Sequence, residues 1–351
     1  MRYKHLGNSG LRVSELCLGT MTFGEDWQFG ADKDTSCDML RAFCEVGGNF
    51  IDTADVYTMG SSERYLGEFI NHDRDFFVVS SKYSLSTRHD DPNGGGNSRK
   101  NMRRAVEASL QRLQTDHLDV FWLHAWDGGT PLEEIMRGLD DLVSAGKVLY
   151  IGVSDTPAWV VSRANMMAEL RGWSQFIGLQ AEYNLAARTP ERDLLPMAEA
   201  LNLGVLAWAP LAGGVLTGKY VAAEEGVSVE DSLRGVRMNG HRLGEQQLAV
   251  ARTLVEVARE VEVAPAPVAL AWLRQRPTPV IPIVAGRTLD QLKQNLDCLS
   301  VTLSEDQLER LDRVSAVPLG FPHEFLQSNP LRRALFGYCD ELIDPPAGLR
   351  T

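Results

Sequence analysis

The sequence predicts an α/β protein, a (β/α)8 TIM barrel with an N-terminal β-hairpin and a C-terminal loop and tail. Eight short β-rich runs carry that prediction: Leu16 to Gly19, Phe50 to Ile51, Phe77 to Ser80, Leu118 to Leu123, Val148 to Val153, Phe176 to Gln180, Gly204 to Ala209 and Val280 to Val284. Between them lie longer segments of helical period. Strands that alternate with helices imply right-handed βαβ units around a parallel sheet buried on both faces. The competing open, doubly wound sheet would usually carry Gly-x-Gly-x-x-Gly after an early strand in a cofactor enzyme, and this chain has no such fingerprint.

Taken in order, Tyr3 to Leu6 and Leu11 to Val13 flank Gly7-Asn8-Ser9-Gly10, a turn-rich connection that fits a small hairpin plugging the barrel floor. Helices are expected over Thr35 to Val46, Ser61 to Ile70, Ser98 to Leu113, Leu132 to Ser144, Pro157 to Leu170, Pro190 to Leu201 and Gln246 to Glu260. Three segments depart from the repeat: Arg88 to Asn97, rich in Asp, Asn and Gly; Gly213 to Gly244; and the tail after Ser315. Long insertions after barrel strands sit at the C-terminal face, where ligands bind, so the first two are candidate substrate or cofactor loops. The 351 residues are expected to form one barrel domain, 1–315, with a tail, 316–351, packing on or near the barrel rim.

Hydrophobic residues make up 44% of the chain and charged ones 23%, a globular balance that argues against disordered and fibrous classes. Lys and Arg number 35 against 47 Asp and Glu, and the formal charge of −12 repels phosphate backbones and anionic lipid surfaces. Nucleic acid and membrane are therefore not expected as partners. A small anionic ligand remains compatible, because one Arg or one helix N-terminus can hold a phosphate. Cys17, Cys37, Cys44, Cys298 and Cys339 are scattered, without the close pairs of zinc or redox motifs, and read as reduced packing residues. The segment from Met1 to Gly7 lacks the apolar run of a secretory signal, and the longest apolar stretch, around Val205 to Leu216, is too short to span a bilayer. A cytoplasmic location is the expectation; a homo-oligomer is compatible with the sequence but not derivable from it.

The stretch Asp52-Thr-Ala-Asp-Val-Tyr57 sets a carboxylate and a phenol just past the second strand, while Ser80-Ser81-Lys82 closes the third and Leu123-His124 the fourth. These groups would crowd the C-terminal rim, where the active sites of such barrels lie. A phenol titrates near about 10, and a neighbouring ammonium lowers that by stabilising phenolate, so Lys82 would make Tyr57 a usable acid. Asp52 would pair with Lys82, and His124 would orient and polarise a carbonyl oxygen. Singly, each has a plainer reading: Asp52 as a cap, Tyr57 as a half-buried aromatic, Lys82 as a surface charge, His124 as a core histidine. Trp27 and Trp126 follow strand ends in loops and are candidate walls of a substrate pocket; for Trp159, packing is expected.

Several independent motifs together resemble the aldo-keto reductase superfamily, from the hairpin to about Leu311. They are Gly47-Gly-Asn-Phe-Ile-Asp-Thr-Ala-Asp-Val-Tyr57 with Ser62-Glu63 and Leu66-Gly67, Ser81-Lys82, Leu118-Asp-Val-Phe-Trp-Leu-His124, Gly152-Val-Ser-Asp155, Gln180, and Gly286-Arg287 with Gln291 and Asn295. The resemblance implies hydride transfer from NADPH to an aldehyde or ketone, with Tyr57 as general acid supported by Asp52, Lys82 and His124. It implies contacts to the nicotinamide carboxamide from Ser154, Asp155 and Gln180, and stacking of Trp208 on the ring. Gly19, Thr20 and Met21 match the first-strand segment beside the cofactor, and Asp52 also borders it. Pro210, Leu211, Gly213 and Lys219 align with the pyrophosphate-side loop, and Gly286, Arg287, Thr288, Gln291 and Asn295 with the adenosine-phosphate site. Arg287 beside a helix start suits a ribose 2′-phosphate, which favours NADP(H) over NAD(H). Two departures stand out: Asp155 where many relatives have Asn, and Ala285-Gly286 in reversed order. A carboxylate accepts hydrogen bonds but cannot donate as Asn does.

Two other readings use the same residues. The site would serve equally in an alcohol or sugar dehydrogenase running the reverse reaction. The beta subunits of voltage-gated potassium channels resemble the same superfamily and use the barrel mainly for binding, but this sequence begins directly with the hairpin. The carbonyl substrate itself is not legible in the loops.

Overall fold

The computed structural model describes residues 1–224 and 244–343. Two short strands, β1 (Tyr3–His5) and β2 (Arg12–Ser14), pair antiparallel with Tyr3 opposite Ser14. Eight parallel strands then close a barrel: β3 (Cys17–Gly19), β4 (Phe50–Asp52), β5 (Val78–Tyr83), β6 (Leu118–Leu123), β7 (Val148–Ser154), β8 (Phe176–Glu182), β9 (Gly204–Trp208) and β10 (Val280–Val284), with β10 returning to β3. All six residues of β5 and of β6 are buried, because helices cover the outer face while side chains fill the inner one. The predicted barrel, with its eight strands in sequence order, is the observed fold.

The interior packs Cys17, Phe50, Val78, Val120, Trp122, Ile177, Leu206, Ile281 and Ile283 against Leu6 and Val13 of the hairpin. The hairpin thus seals the barrel floor, as the sequence suggests. Its turn lies hard against the barrel wall: Gly7 has φ +56°, and a Cβ placed there would come 2.1 Å from the Ile177 carbonyl oxygen. Gly7→Ala is therefore expected to lower the urea unfolding midpoint, costing at least about 1 kcal/mol.

The outer ring comprises α1 (Lys33–Glu45), α2 (Ser61–Ile70), α3 (Arg99–Leu113), α4 (Leu132–Ser144), α5 (Ala158–Arg171), α6 (Leu194–Ala200), α7 (Lys219–Glu224), α8 (Glu245–Glu260), α9 (Pro265–Arg274), α10 (Leu289–Leu296) and α11 (Glu305–Ser315). Caps fix several starts: the side chains of Asp32, Ser98, Thr288 and Ser304 each accept from a backbone N–H of the first turn. The expected helix from Pro190 to Leu201 is broken into a 3-10 turn at Thr189–Arg192 and α6. Pro196 explains this, since a proline lacks the N–H that an interior helical position needs and is tolerated only in a first turn.

The loop from Arg88 to Asn97 is tied to the loop after β6. Asn97 donates from its backbone N to Asp127 Oδ2 at 2.8 Å and from Nδ2 to the Ala125 carbonyl at 3.0 Å. Of the expected loop from Gly213 to Gly244, residues 225–243 lie outside the described residues, as do 344–351 of the tail. The tail starts beside the barrel, where Gln246 Nε2 donates to the Ala316 carbonyl at 3.2 Å and Arg192 Nε to that of Pro318 at 2.9 Å. Further along, it forms α12 (His323–Leu326) and α13 (Asn329–Leu335), with Phe321, Phe325 and Phe336 exposed. Among the described residues, no helix is long and apolar enough to cross a membrane. The five cysteines are unbridged.

Candidate active site

Four of the sequence-predicted residues meet at the C-terminal ends of β4, β5 and β6. Asp52 ends β4 and Lys82 lies one residue from the end of β5, both almost wholly buried. Their side chains form an ion pair. The Lys82 ammonium also donates to the Thr53 carbonyl at 2.8 Å and to the Tyr57 hydroxyl at 3.1 Å. Asp52 is held on its other oxygen by Ser80 Oγ and Gln180 Nε2, each at 2.7 Å. These bonds fix the ammonium beneath the phenol, and the His124 ring stands edge-on to the Tyr57 ring with centroids 6.0 Å apart.

The electrostatics follow from this packing. Burial alone would lower the Lys82 pKa, but the Asp52 carboxylate and the Tyr57 oxygen beside it more than offset that and raise it. For Tyr57 the balance runs against the expectation from charge alone. Burial raises the phenol pKa above its ordinary value and outweighs the lowering by the Lys82 ammonium, with Asp52 adding to the rise. Tyr57 is consequently a protonated phenol at neutral pH, able to donate. Burial, aided by Lys82, holds His124 down at about 3, so the ring is neutral. Its Nδ1 is buried with no hydrogen-bond partner among the described residues. A proton on Nδ1 would go unsatisfied there, which favours the tautomer carrying it on Nε2.

Two aromatic pairs lie in the segments that follow the barrel strands. Trp27 meets the Tyr57 ring edge-on with centroids 6.4 Å apart and the Phe29 ring at a tilt at 5.8 Å, while Trp126 meets Trp159 edge-on at 5.7 Å. Trp27 and Trp126 are both half-buried.

The residues expected to hold a nucleotide cofactor lie along the same rim. Ser154 ends β7 and is buried; Asp155 follows it at φ +39° and accepts from the Trp208 indole Nε1 at 3.2 Å. Gln180 on β8 commits an N–H to Asp52, which leaves its side-chain carbonyl to act as an acceptor. After β9, Gly213 and Gly214 take φ +63° and +98°, backbone that side chains rarely adopt, and the Lys219 ammonium lies 3.0 Å from where a Gly214 Cβ would be. Exposed backbone and a cation at one turn suit an anionic ligand. Thr288 caps α10, Arg287 is exposed at that helix start, and Asn295 Nδ2 fixes the loop by donating to the Ala285 carbonyl at 2.9 Å. Gly286 lies in a turn where a Cβ would come 2.8 Å from the Thr288 carbonyl oxygen. Gln291 reaches back to the Arg287 N–H at 2.9 Å. Pro210 is buried and Leu211 half-buried at the turn leaving β9; Met21 is exposed on the rim, whereas Gly19 packs against Ile283 of β10. Thr20 differs from the rest: its hydroxyl is buried, bonded to Ser62 Oγ at 2.7 Å and to the Asp52 carbonyl at 3.1 Å, so its side chain braces the wall.

A family-wide sequence profile described as the aldo/keto reductase family matches residues 15–316. The chain belongs to that family. This aldo/keto reductase is similar to a norsolorinic acid reductase of Aspergillus flavus, 40% identical over 334 residues, covering 92% of this chain and 83% of the relative. It is also similar to an aryl-alcohol dehydrogenase [NADP(+)] of Phanerodontia chrysosporium, 38% identical over 329 residues and covering 90% and 86% of the two chains. A putative aryl-alcohol dehydrogenase of Saccharomyces cerevisiae is 36% identical over 335 residues, covering 92% and 88%. Family and relatives alike mark the protein as an oxidoreductase.

Three contributors to the site of this aldo/keto reductase escaped the sequence reading. Ser80 and the Thr53 carbonyl complete the shell around Asp52 and Lys82, and Asp55, two residues before Tyr57, interacts electrostatically with Glu63 and Arg112. Ser80 carried a usable signal, because residues two apart on a strand share a face and Lys82 is two positions on.

Proposed function

We propose that this aldo/keto reductase reduces the carbonyl of a planar aromatic aldehyde or ketone with NADPH, using Tyr57 as general acid. The observation that carries the reading is the buried Asp52, Lys82 and Tyr57 chain beside a neutral His124. When bound, the reduced nicotinamide supplies the hydride to the carbonyl carbon. His124 Nε2–H donates to the carbonyl oxygen and holds it near the Tyr57 hydroxyl, which gives its proton to that oxygen as the alcohol forms. Lys82 stabilises the phenolate left behind, and Asp52 holds Lys82 in line.

For the cofactor, Ser154, Asp155 and Gln180 would receive the carboxamide and Trp208 would cover the ring, with its indole steadied by Asp155. Gly213 and Lys219 would take the pyrophosphate, and Arg287 with the start of α10 the 2′-phosphate. A guanidinium fork at a capped helix start favours NADP(H) over NAD(H). Trp27 and Trp126 would wall the substrate space, and the similarity to an aryl-alcohol dehydrogenase supports a flat aromatic substrate. That relative's name equally supports the reverse reaction on an aryl alcohol, run by the same residues.

The test is absorbance at 340 nm with NADPH and a panel of benzaldehydes, naphthaldehydes and quinones. Turnover on aryl carbonyls is expected, and Arg287→Ala should raise KM for NADPH roughly tenfold or more while leaving KM for NADH nearly unchanged. Folded protein that turns over no member of the panel in either direction overturns the reading.

A further inference from the structure

Asp55, two residues before Tyr57, and Glu63 form an acidic pair that the proposed chemistry leaves unused. Asp55 is 4% exposed and Glu63 of α2 is fully buried. Glu63 is already satisfied, accepting from Ser81 Oγ and from Arg112 Nε of α3, each at 2.6 Å. One guanidinium therefore balances one carboxylate. Asp55 Oδ1 has no hydrogen-bond partner among the described residues, and a second buried negative charge here would be only partly compensated, by Arg112, the Val56 N–H and Lys82. The charged and titratable groups around Asp55 are Glu63, Arg112 and, from β5, Lys82.

Asp55 also sits in the segment that aims the phenol. Its N–H donates to the Lys82 carbonyl at 3.3 Å, and the Tyr57 N–H to the Ala54 carbonyl at 3.2 Å. Beyond Tyr57, Thr58 and Met59 take φ +44° and +53°, a conformation that a β-branched residue adopts only under constraint. Thr58 Oγ1 is pinned to the Phe23 carbonyl at 2.5 Å and accepts from the Ser62 N–H at 3.1 Å. A turn held by surrounding contacts against its own preference shifts readily when one of those surroundings changes.

We propose, resting on the role given to Tyr57 above, that Asp55 is a proton-gated positioning residue: neutral, it lets the Tyr57 turn seat against α2 and Lys82; ionised, it repels Glu63 and moves the phenol off Lys82 and His124. Burial first, and Glu63 second, push the Asp55 carboxyl up to about 8 against the smaller opposing effects of Arg112, the Val56 N–H and Lys82. The neutral form therefore prevails at pH 7 and is lost in mildly alkaline solution. A carboxyl raised in this way contributes stability that is complete below its ordinary value of 3.8 and disappears as pH rises through about 8.

The experiment compares the full-length protein with Asp55→Asn, which stays neutral, and with Glu63→Gln, which removes the repulsion. Wild-type kcat/KM is expected to fall from pH 8 upward by about tenfold per pH unit, as the neutral carboxyl is titrated away. Both variants should hold their activity until the higher pH at which Tyr57 itself ionises. Two readouts do not depend on turnover. The emission of Trp27, taken as the difference between the protein and its Trp27→Phe variant, should titrate with the same midpoint and stop titrating in Asp55→Asn. The thermal midpoint of Asp55→Asn should gain on wild type between pH 5 and pH 8. An alkaline limb and a Trp27 titration that persist unchanged in both variants overturn the proposal, as does a stability difference that is the same at pH 5 and pH 8. A protein inactive on every carbonyl, yet showing the Trp27 titration and its loss in Asp55→Asn, would sink the enzymatic reading and leave the Asp55 gate standing.

Discussion

Tyr57→Phe is expected to lower kcat for carbonyl reduction by roughly 10²- to 10⁴-fold, the contribution of a positioned general acid, while leaving NADPH affinity within about twofold. The substitution removes one oxygen from a half-buried ring. The ring's edge contacts to Trp27 and His124 at 6.4 and 6.0 Å remain, so the wall of the cleft is conserved. The lost atom is the acceptor of the Lys82 hydrogen bond at 3.1 Å, and Lys82 keeps its bonds to Asp52 and the Thr53 carbonyl. Stability should therefore change little. Steady-state kinetics at pH 7, with the cofactor Kd read from quenching of protein fluorescence, separates the two effects. A Tyr57→Phe variant that retains more than about a tenth of wild-type kcat would remove Tyr57 from the role of acid.

The barrel was legible because its strands are buried on both faces, and such strands leave continuous apolar runs between helical segments. The sequence places Lys82 at the close of the third strand and pairs it with Asp52, but it does not show how deeply the lysine is buried. The run read as that strand ends at Ser80, yet β5 continues to Tyr83 with all six residues buried and carries the lysine into the wall. Only a partner from another strand, Asp52, makes a buried ammonium tolerable, and that pairing is set by the register that puts Asp52 opposite Ser80. The Tyr57 shift has the opposite sign to the sequence expectation for the same reason: the neighbouring charge can be read from a motif, whereas the burial that outweighs it belongs to the assembled fold. The break at Asp193, by contrast, was foreseeable from Pro196, and so was α11, whose Ser304 and Gln307 form a capping box. Asp55, Glu63 and Arg112 come from three separate segments, and nothing in their spacing announces that they meet.

Lys82→Met is expected to do more damage to the protein than any other single change in the site, and through two separable effects. Lys82 is 1% exposed and Asp52 2%, so deleting the ammonium leaves a carboxylate out of water with only Ser80 and Gln180 donating to it. Breaking a buried pair from one side costs about 3–5 kcal/mol, which urea unfolding at pH 7 should report. The loss should shrink in acid, where the orphaned carboxyl can take up a proton and become neutral. Activity should fall as well, because the phenolate that proton donation leaves behind would lose its stabilising cation. Adding Asp52→Asn to Lys82→Met removes the stranded charge and should recover most of the stability without recovering turnover. If the double variant regained activity along with stability, the lysine would be a structural cation only, and the tuning assigned to it would fall away. If instead the single variant were as stable as wild type at pH 7, the burial of the pair, from which every argument about this site starts, would be wrong.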